Sequence, residues 1–578
     1  MNSPLEHPNQ SALTFFRGWL PAVLLSLCVS FLIVSPFFSR GVASGHDFEF
    51  HATSWLDVAG QWKQGILYPR WTEWANHGFG EPRFLFYPPI SWLLAPALSL
   101  FIPWDYVPVA FIILVQTFAG LSAFAFARRL LPPGVSLFVV ACYVANPNAL
   151  LMIYFRSDYA ELLASAFFPL LFLATLQLAG YIEAPGSRLR TLVFFSTLFA
   201  AVWLCNAPAG VMAGYSVALL FACSALFVKG WGAYLLREVA GLLIGFGLAA
   251  FYIVPAAYEQ RWVNISQALA PGLLPAENFL YTVISDPEHT FFNYIASTIA
   301  IALICFTGLA AIAARRGLDQ SDRARSSTWY AFLALAAVAT VLMLRPTLLL
   351  WQFLPKLRFV QFPWRWMSIL TIPFVYFLAA ALSHRRLRWL WLTSTSALIA
   401  ATAIFLVHRT WWDDEDISTL RAAIASGEGF DGTDEYDPLG DDHYNLPPNA
   451  SRAQLRSEPE NNEGQPAKAN TAPSKVFVER WTPERKILRV ESSAPARLSL
   501  RLLNYPAWRV QVNGATVQPE SAEDFAQMIV PLSPGASRVT VRFTRTRDRT
   551  LGAAISIVAV LIILSLLFVA RRNRELAA

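Results

Sequence analysis

The sequence predicts a polytopic α-helical membrane protein with about twelve spanning helices and a C-terminal antiparallel β-sandwich domain. The chain has 578 residues, of which 55% are hydrophobic and 15% charged, whereas soluble domains carry about 25% charged residues. Apolar runs close to the roughly 20 residues that a bilayer requires recur along the chain. The polar region 408–550 ends in segments where apolar and polar residues alternate.

The apolar runs form twelve candidate spans separated by polar turns. They lie near 13–38, 107–127, 135–154, 160–180, 191–205, 207–228, 239–255, 293–314, 328–344, 366–383, 390–407 and 551–570. The first run lacks a small-residue cleavage site after a basic start. We therefore expect it to be a retained helix rather than a signal peptide.

The positions of Lys and Arg predict the orientation of these spans. If the N-terminus is cytoplasmic, strict alternation places a basic group at every cytoplasmic turn, as the positive-inside tendency requires. The groups are Arg128-Arg129, Arg188 with Arg190, Lys229 with Arg237, Arg315-Arg316 with Arg323, Arg385-Arg386 and Arg571-Arg572. We therefore expect both termini in the cytoplasm. The net charge of +6 is small and dispersed in these clusters, which argues against a nucleic-acid partner.

The membrane module, 1–407, includes a long first loop, 39–106, that alternation places on the outer side. Its segment 88–103 is apolar but short and interrupted by prolines, which predicts an interfacial or re-entrant segment. The apolar residues of 52–64 have helical spacing and include two tryptophans, so we expect an amphipathic helix lying on the bilayer.

The polar region divides into an acidic and linker part, 408–474, and a β-sandwich, 475–548, both expected to be extracytoplasmic. We expect the acidic segment, 413–442, to be a solvated face, because it does not fit the EF-hand pattern. The composition of 451–474 predicts a linker. Alternating runs predict strands at 475–479, 487–490, 498–502, 508–512 and 539–543, with Asn513-Gly514 as a hairpin turn. A last helix and a cytoplasmic tail occupy 551–578.

The first candidate for chemistry is Asp47, which follows the first span directly. A carboxylate within hydrogen-bond reach of an acceptor hydroxyl can take its proton as a new bond forms. The alternative is a helix-terminal acid whose side chain is satisfied by loop amides. The sequence contains neither a P-loop nor a GxGxxG that follows a strand, so it offers no nucleotide-binding loop.

Short motifs spread along the chain carry a resemblance to known membrane proteins. They are Gly45-His46-Asp47, Tyr68-Pro69-Arg70-Trp71, Arg156-Ser157-Asp158-Tyr159-Ala160-Glu161, Gln361-Phe362-Pro363-Trp364-Arg365, Gly432-Thr433-Asp434-Glu435-Tyr436 and Asn504-Tyr505-Pro506-Ala507-Trp508. In their order they resemble a bacterial family labelled 6-pyruvoyl-tetrahydropterin synthase-related, and the whole chain resembles the GT-C superfamily of glycosyltransferases.

This resemblance implies a GT-C-like fold in the bacterial inner membrane. It also implies inverting transfer of a sugar from a polyprenyl-phosphate donor to an extracytoplasmic glycan, lipid or protein acceptor. Asp47 would then be the general base, or an acid that binds a metal or the acceptor. Asp158, with Glu161 on the same helical face, would assist with metal or acceptor. The alternative for Asp158 is a solvated helix cap paired with Arg156.

A departing phosphate needs fixed positive charge, for which arginine is well suited. The candidates on the expected outer side are Arg70, Arg358 and Arg365, with Lys356 nearby. Snorkelling to ordinary lipid headgroups is the alternative for each of them.

The segment around Asp47 also raises the question of a metal. In an extended chain, Asp47, Glu49 and His51 share a face, and His46 is adjacent. Histidine and carboxylate ligands suit Zn²⁺ or Mn²⁺, and Mg²⁺ is a further divalent candidate, but the spacing matches no standard motif. His46, Glu49 and His51 are therefore candidates for metal or acceptor binding.

Two other classes of function remain open. A transporter or flippase of lipid-linked saccharides would carry intramembrane charges along its path, and the predicted spans carry few. A non-catalytic envelope assembly protein with a GT-C-like fold would keep the architecture without the chemistry.

Overall fold

The computed structural model is mostly helical up to residue 409 and mostly β-sheet from 453 to 543. It describes residues 8–577 except 185, 317–321, 383–386, 414, 441–445, 458–474 and 523–524. The basic pair Arg385-Arg386 and most of the predicted linker lie outside the described residues.

The helices carry the labels α1 to α21 in chain order. They are α1 (Pro8–Val34), α2 (Phe37–Arg40), α3 (Phe48–Lys63), α4 (Ala75–Gly78), α5 (Arg83–Phe86), α6 (Pro89–Ser99), α7 (Val107–Leu130), α8 (Ser136–Val144), α9 (Pro147–Leu151), α10 (Tyr159–Leu178), α11 (Arg188–Cys205), α12 (Ala207–Phe227), α13 (Gly232–Leu248), α14 (Ala250–Glu259), α15 (Pro287–Arg315), α16 (Arg323–Leu342), α17 (Leu348–Phe353), α18 (Met367–Ala381), α19 (Arg388–Arg409), α20 (Asp416–Ser426) and α21 (Arg547–Ala577).

Within the described ranges, eleven helical stretches are long and apolar enough to cross a membrane, and the bent pair α13–α14 supplies a twelfth. The predicted polytopic architecture is therefore confirmed. The eleven stretches are Gly18–Arg40, Trp104–Leu130, Pro133–Arg156, Tyr159–Leu178, Arg188–Cys205, Ala207–Phe227, Pro287–Arg315, Arg323–Leu342, Pro363–Ala381, Arg388–Arg409 and Arg547–Leu576. The short apolar helix α6 occupies the segment predicted to be interfacial or re-entrant.

The span predicted at 239–255 is not straight. Its two halves meet at an angle of 72° between α13 and α14. The hydroxyl of Ser556 in α21 accepts a hydrogen bond from the Phe251 amide at 2.9 Å and donates one to the Gly247 carbonyl at 2.9 Å. In a continuous helix these two backbone groups would bond to each other, so the inserted hydroxyl accounts for the bend.

The C-terminal domain consists of two antiparallel sheets. The strands, numbered in chain order, are β1 (Val42–Ala43), β2 (Trp412–Asp413), β3 (Ala453–Ser457), β4 (Lys475–Thr482), β5 (Arg485–Ser492), β6 (Ala496–Leu503), β7 (Trp508–Val512), β8 (Ala515–Val517), β9 (Glu520–Ser521), β10 (Gln527–Leu532) and β11 (Gly535–Phe543). One sheet has the order β3-β6-β10-β9 and the other β4-β5-β11-β7-β8, while β1 pairs with β2 apart from them. All five predicted strands and the Asn513-Gly514 turn between β7 and β8 are present.

The start of the predicted linker is a strand instead. β3 pairs with β6 over all five of its residues, and its Leu455 packs against the core of the β-domain. The prediction of a linker over 451–474 is therefore wrong at 453–457. Composition alone does not show that a short polar segment pairs with the edge of a sheet, as β3 does with β6.

The first loop joins the membrane module to the β-domain. Trp71, Phe79 and Phe86 belong to the same buried cluster as the inner residues of the two sheets. The predicted amphipathic helix is present as α3, but Trp55 is only 1% exposed and stacks on Phe111 of α7 with ring centroids 5.5 Å apart. The expectation that this helix lies on the bilayer is therefore wrong, since its apolar face is buried in the protein.

Candidate functional site

A cavity of about 840 Å³ is lined by spanning helices, the first loop and the acidic segment; we call it the main cavity. Its volume is in the range of sites for small molecules and cofactors. The ionisable side chains in its wall, tyrosines aside, are His46, Asp47, Arg156, Asp158, Asp286, Glu288, His289, Lys356, Arg365 and Glu435. Apolar parts of the wall come from Trp203, Val211, Ile253, Ala256, Leu273, Phe292, Phe359 and Phe362.

The backbone around Asp47 is held by the segment that follows the third span. The Asp47 amide donates to the Arg156 carbonyl at 2.8 Å, and the Gly45 amide donates to the Ser157 hydroxyl at 3.0 Å. A Cβ at Gly45 would lie 2.5 Å from the Phe155 carbonyl oxygen. Only glycine permits the backbone of residue 45 to pack this closely against Phe155, which explains the glycine of the Gly-His-Asp motif.

The carboxylate of Asp47 faces the main cavity. Asp47 occupies the N-cap position of α3, yet its side chain makes no capping hydrogen bond. Its Oδ2 accepts a hydrogen bond from Nη2 of Arg156 at 3.0 Å, and 38% of the side chain is exposed. The alternative of an acid satisfied by loop amides is thus not what the structure shows.

Arg156 connects three carboxylates. Besides Asp47, it donates to Asp158 at 2.7 Å and to Glu161 at 2.8 Å. Its guanidinium lies over the Trp364 ring at 5.0 Å, and its side chain is 3% exposed. The sequence indicates this arginine only as a partner of the acid that caps the next helix. The available signal is its place in a six-residue stretch, 156–161, that also holds two acids.

Asp158 and Glu161 are buried supports of this arginine. Asp158 caps α10 by accepting from the Glu161 amide at 2.9 Å, as the capping alternative predicted, but the side chain is 3% exposed rather than solvated. Burial raises the pKa of Asp158, but the Arg156 guanidinium, the hydrogen bond from His51 and the charge of Arg365 together outweigh burial, so the pKa lies well below its usual range. Glu161 accepts from the Ser368 hydroxyl at 2.6 Å and does not line the main cavity.

The structure places one of the three predicted phosphate-binding arginines in the main cavity. Arg365 lines it, with Nε 3.1 Å from Glu161 and Nη2 3.7 Å from Asp158. Arg358 is exposed, stacks on Phe359 and is not part of the cavity wall.

Arg70 lies outside the main cavity. Its guanidinium donates two hydrogen bonds to Glu484, at 2.8 Å and 2.7 Å. It therefore joins the first loop to the β-domain, and the prediction that it binds phosphate in the site is not supported.

The predicted extended segment after Asp47 is helical, because α3 begins at Phe48. Helical spacing places His51 near Asp47 and turns Glu49, which is exposed, away from both. The His51 Nε2 is 3.8 Å from Asp158, and His46 packs against Phe292. In the described part of the chain, no three His, Cys, Asp or Glu side chains are grouped so that they could hold a metal ion.

Part of the acidic segment belongs to the site. Glu435 and Tyr436 line the main cavity, and burial raises the pKa of Glu435 to about 7. Asp437 is 2% exposed and accepts from Asn76 at 2.6 Å. The prediction of a solvated face is wrong for these residues, because their contacts are with the first loop. It holds for Asp431, whose side chain is 85% exposed.

Comparisons with known proteins do not show which family the chain belongs to. No protein-family model matches the chain, and no curated protein matches it; the 6-pyruvoyl-tetrahydropterin synthase-related label is unsupported. A solved structure described as ArnT from Cupriavidus metallidurans bound to undecaprenyl phosphate is similar over 64% of this chain and 78% of that chain. The identity is 13% and the TM-score 0.28, a level that carries no argument about function.

Proposed function

We propose that the chain is an inverting glycosyltransferase of the GT-C type that moves a sugar from a polyprenyl-phosphate donor to an acceptor hydroxyl. The observation that carries this proposal is the Asp47 carboxylate, partly exposed in the wall of a cavity that combines a charged cluster with apolar side chains. Such a wall suits a ligand with both a polar and a hydrocarbon part. The basic clusters of the predicted cytoplasmic turns support an extracytoplasmic site.

Asp47 is the general base in this proposal. As the acceptor oxygen forms its bond to the anomeric carbon, its proton passes to Asp47. The bond from that carbon to the phosphate oxygen breaks in the same step, so the polyprenyl phosphate leaves as an anion and the anomeric centre inverts. Arg156 is a positioning residue, because it fixes one carboxylate oxygen of Asp47.

The charge balance of the cluster decides which cation meets the leaving phosphate. Arg156 and Arg365 face three carboxylates, those of Asp47, Asp158 and Glu161. Their charge is therefore already compensated.

Lys356 is the better partner for the phosphate. It lines the main cavity, is exposed, and contacts Gln260 at 3.3 Å. Among the described residues no carboxylate pairs with it. We therefore assign to Lys356 the main role in stabilising the negative charge of the leaving phosphate, and to Arg365 a secondary role.

The test is turnover of a donor panel. The purified chain in lipid nanodiscs is incubated with several polyprenyl-phosphate sugars, and the release of free polyprenyl phosphate is measured. We expect at least one donor to be consumed. If every donor stays intact, and the protein in vesicles moves a donor from one leaflet to the other, the chain is a transporter and this proposal is wrong.

A further inference from the structure

A second cavity of about 290 Å³ lies between the first loop and the β-domain; we call it the loop cleft. Its side chains are chiefly Glu73, Trp74, Asn449, Arg452, Trp481 and Arg501. The volume is at the lower limit of ligand sites and suits one or two sugar rings. We propose that the loop cleft binds a saccharide that carries a carboxylate. Its role as the acceptor rests on the proposed function.

A pair of tryptophans supplies the aromatic surface of the loop cleft. Trp74 and Trp481 are both half-buried in the wall of the loop cleft. In the part of the chain that the structure describes, no aromatic ring stacks on either of them. The buried Lys486 approaches Trp481 to 5.5 Å. A sugar ring has a C–H face of slightly positive potential that fits the negative face of an indole.

The lining of the loop cleft carries more positive than negative charge. Glu73 is the one acid among the described residues of the loop cleft. Arg501 donates to backbone carbonyls, at 2.7 Å to His77 and 2.7 Å to Gly427, and no carboxylate of the described ranges pairs with it. Arg452 is exposed and forms no ion pair within the described residues. The net positive lining favours a uronic acid over a neutral sugar.

The loop cleft is preformed, and one segment of the chain lines both the loop cleft and the main cavity. The Asp57 carboxylate is 1% exposed and accepts from the amides of Glu73 at 2.7 Å and Trp74 at 3.0 Å. Asp57 lies ten residues after Asp47 at the start of α3, about 15 Å along the helix axis. The segment 426–436 contributes to both cavities. The same segment therefore borders both a saccharide in the loop cleft and a donor in the main cavity.

The experiment is calorimetric titration of the full chain in nanodiscs, without donor, with tetragalacturonate and with the same tetramer after its carboxylates have been reduced. We expect the acidic tetramer to bind about tenfold more tightly, the effect of a hydrogen bond to a charged group. Trp481→Ala should weaken both ligands by at least about tenfold. Arg452→Ala should abolish the difference between them.

Arg456→Ala is the matched control, because Arg456 is exposed on β3 and does not line the loop cleft. It should bind like the unmodified chain. Binding of neither tetramer, or equal effects of the Arg452 and Arg456 substitutions, would overturn the inference. Because no donor is present, these results are independent of transfer. If the chain consumes donor but binds neither tetramer, the proposal of a saccharide site in the loop cleft is wrong and the proposed transfer function stands.

Discussion

The guanidinium of Arg156 donates to Asp47 at 3.0 Å while the same Nη2 atom donates to Asp158 at 2.7 Å. One arginine thereby joins the acid that follows the first span to the acid that follows the third. The exposed acid can meet a substrate, whereas the buried one holds the arginine. The two carboxylates therefore have different roles, because the Asp47 side chain is 38% exposed and the Asp158 side chain 3%.

Arg156→Lys should lower transfer by at least about tenfold, because a point charge cannot replace a planar fork at three carboxylates. It should also lower the melting temperature, since the buried acids lose hydrogen bonds. Turnover and thermal unfolding in nanodiscs measure the two effects. Arg358→Lys, at an exposed arginine outside the main cavity, is the control. Equal turnover of the two variants would refute the positioning role.

Glu259→Gln should loosen the junction between membrane module and β-domain. Glu259 is 0% exposed and accepts from Arg549 of α21 at 2.6 Å and 2.7 Å. It also accepts from the Tyr505 hydroxyl of the β-domain. Breaking a buried ion pair costs about 3–5 kcal/mol, so the melting temperature should fall and proteolysis of the β-domain should accelerate.

Glu491→Gln, at an exposed position of β5, is the matched control for Glu259→Gln. It should leave both the melting temperature and the proteolysis rate unchanged. A Glu259 variant as resistant as this control would show that the ion pair does not hold the junction.

Asp57 predicts a pH dependence of stability. Burial raises its pKa from 3.8 to about 7. Between these values the folded chain binds a proton that the unfolded chain has lost, so the free energy of unfolding falls as the pH rises from about 4 to about 7. The melting temperature should be higher at pH 5 than at pH 7.5.

Asp57→Asn should reduce this difference, because the amide does not titrate. Melting curves of both chains at the two pH values provide the measurement. Glu435 has a pKa raised to the same value and titrates in both chains, so the comparison isolates Asp57. An unchanged pH dependence in the variant would mean that Asp57 does not titrate in this range.

Much of the fold could be predicted because the relevant signals are local. Hydropathy over about 20 residues reveals a span, and alternation reveals strands such as β5 and β7. The 72° bend could not be predicted, because both sides of it are apolar and its cause is Ser556 on a distant helix. The strand β10 is nearly all buried, so its sequence shows no alternation and does not predict a strand.

The site was only partly predictable, because contacts between residues that are distant in the sequence leave no local signal. The position of Asp47 after a span is visible in the sequence, but its contact with Arg156 joins residues 109 positions apart. Arg70 and Arg365 looked equivalent as basic residues in aromatic motifs. Their surroundings differ, because Arg70 pairs with Glu484 of the β-domain and Arg365 lies in the cavity wall. The acidic neighbours of Glu435 in the sequence predict a solvated face, whereas its side chain lines the main cavity.

The most direct measurement of the central claim is donor turnover by Asp47→Asn beside Asp105→Asn, an exposed acid of the same loop outside the main cavity. Both variants should fold and insert into lipid. The Asp47 variant should lose more than about a hundredfold of transfer, as expected for removal of a general base, while the Asp105 variant keeps it. Near-normal release of polyprenyl phosphate by the Asp47 variant would contradict the account.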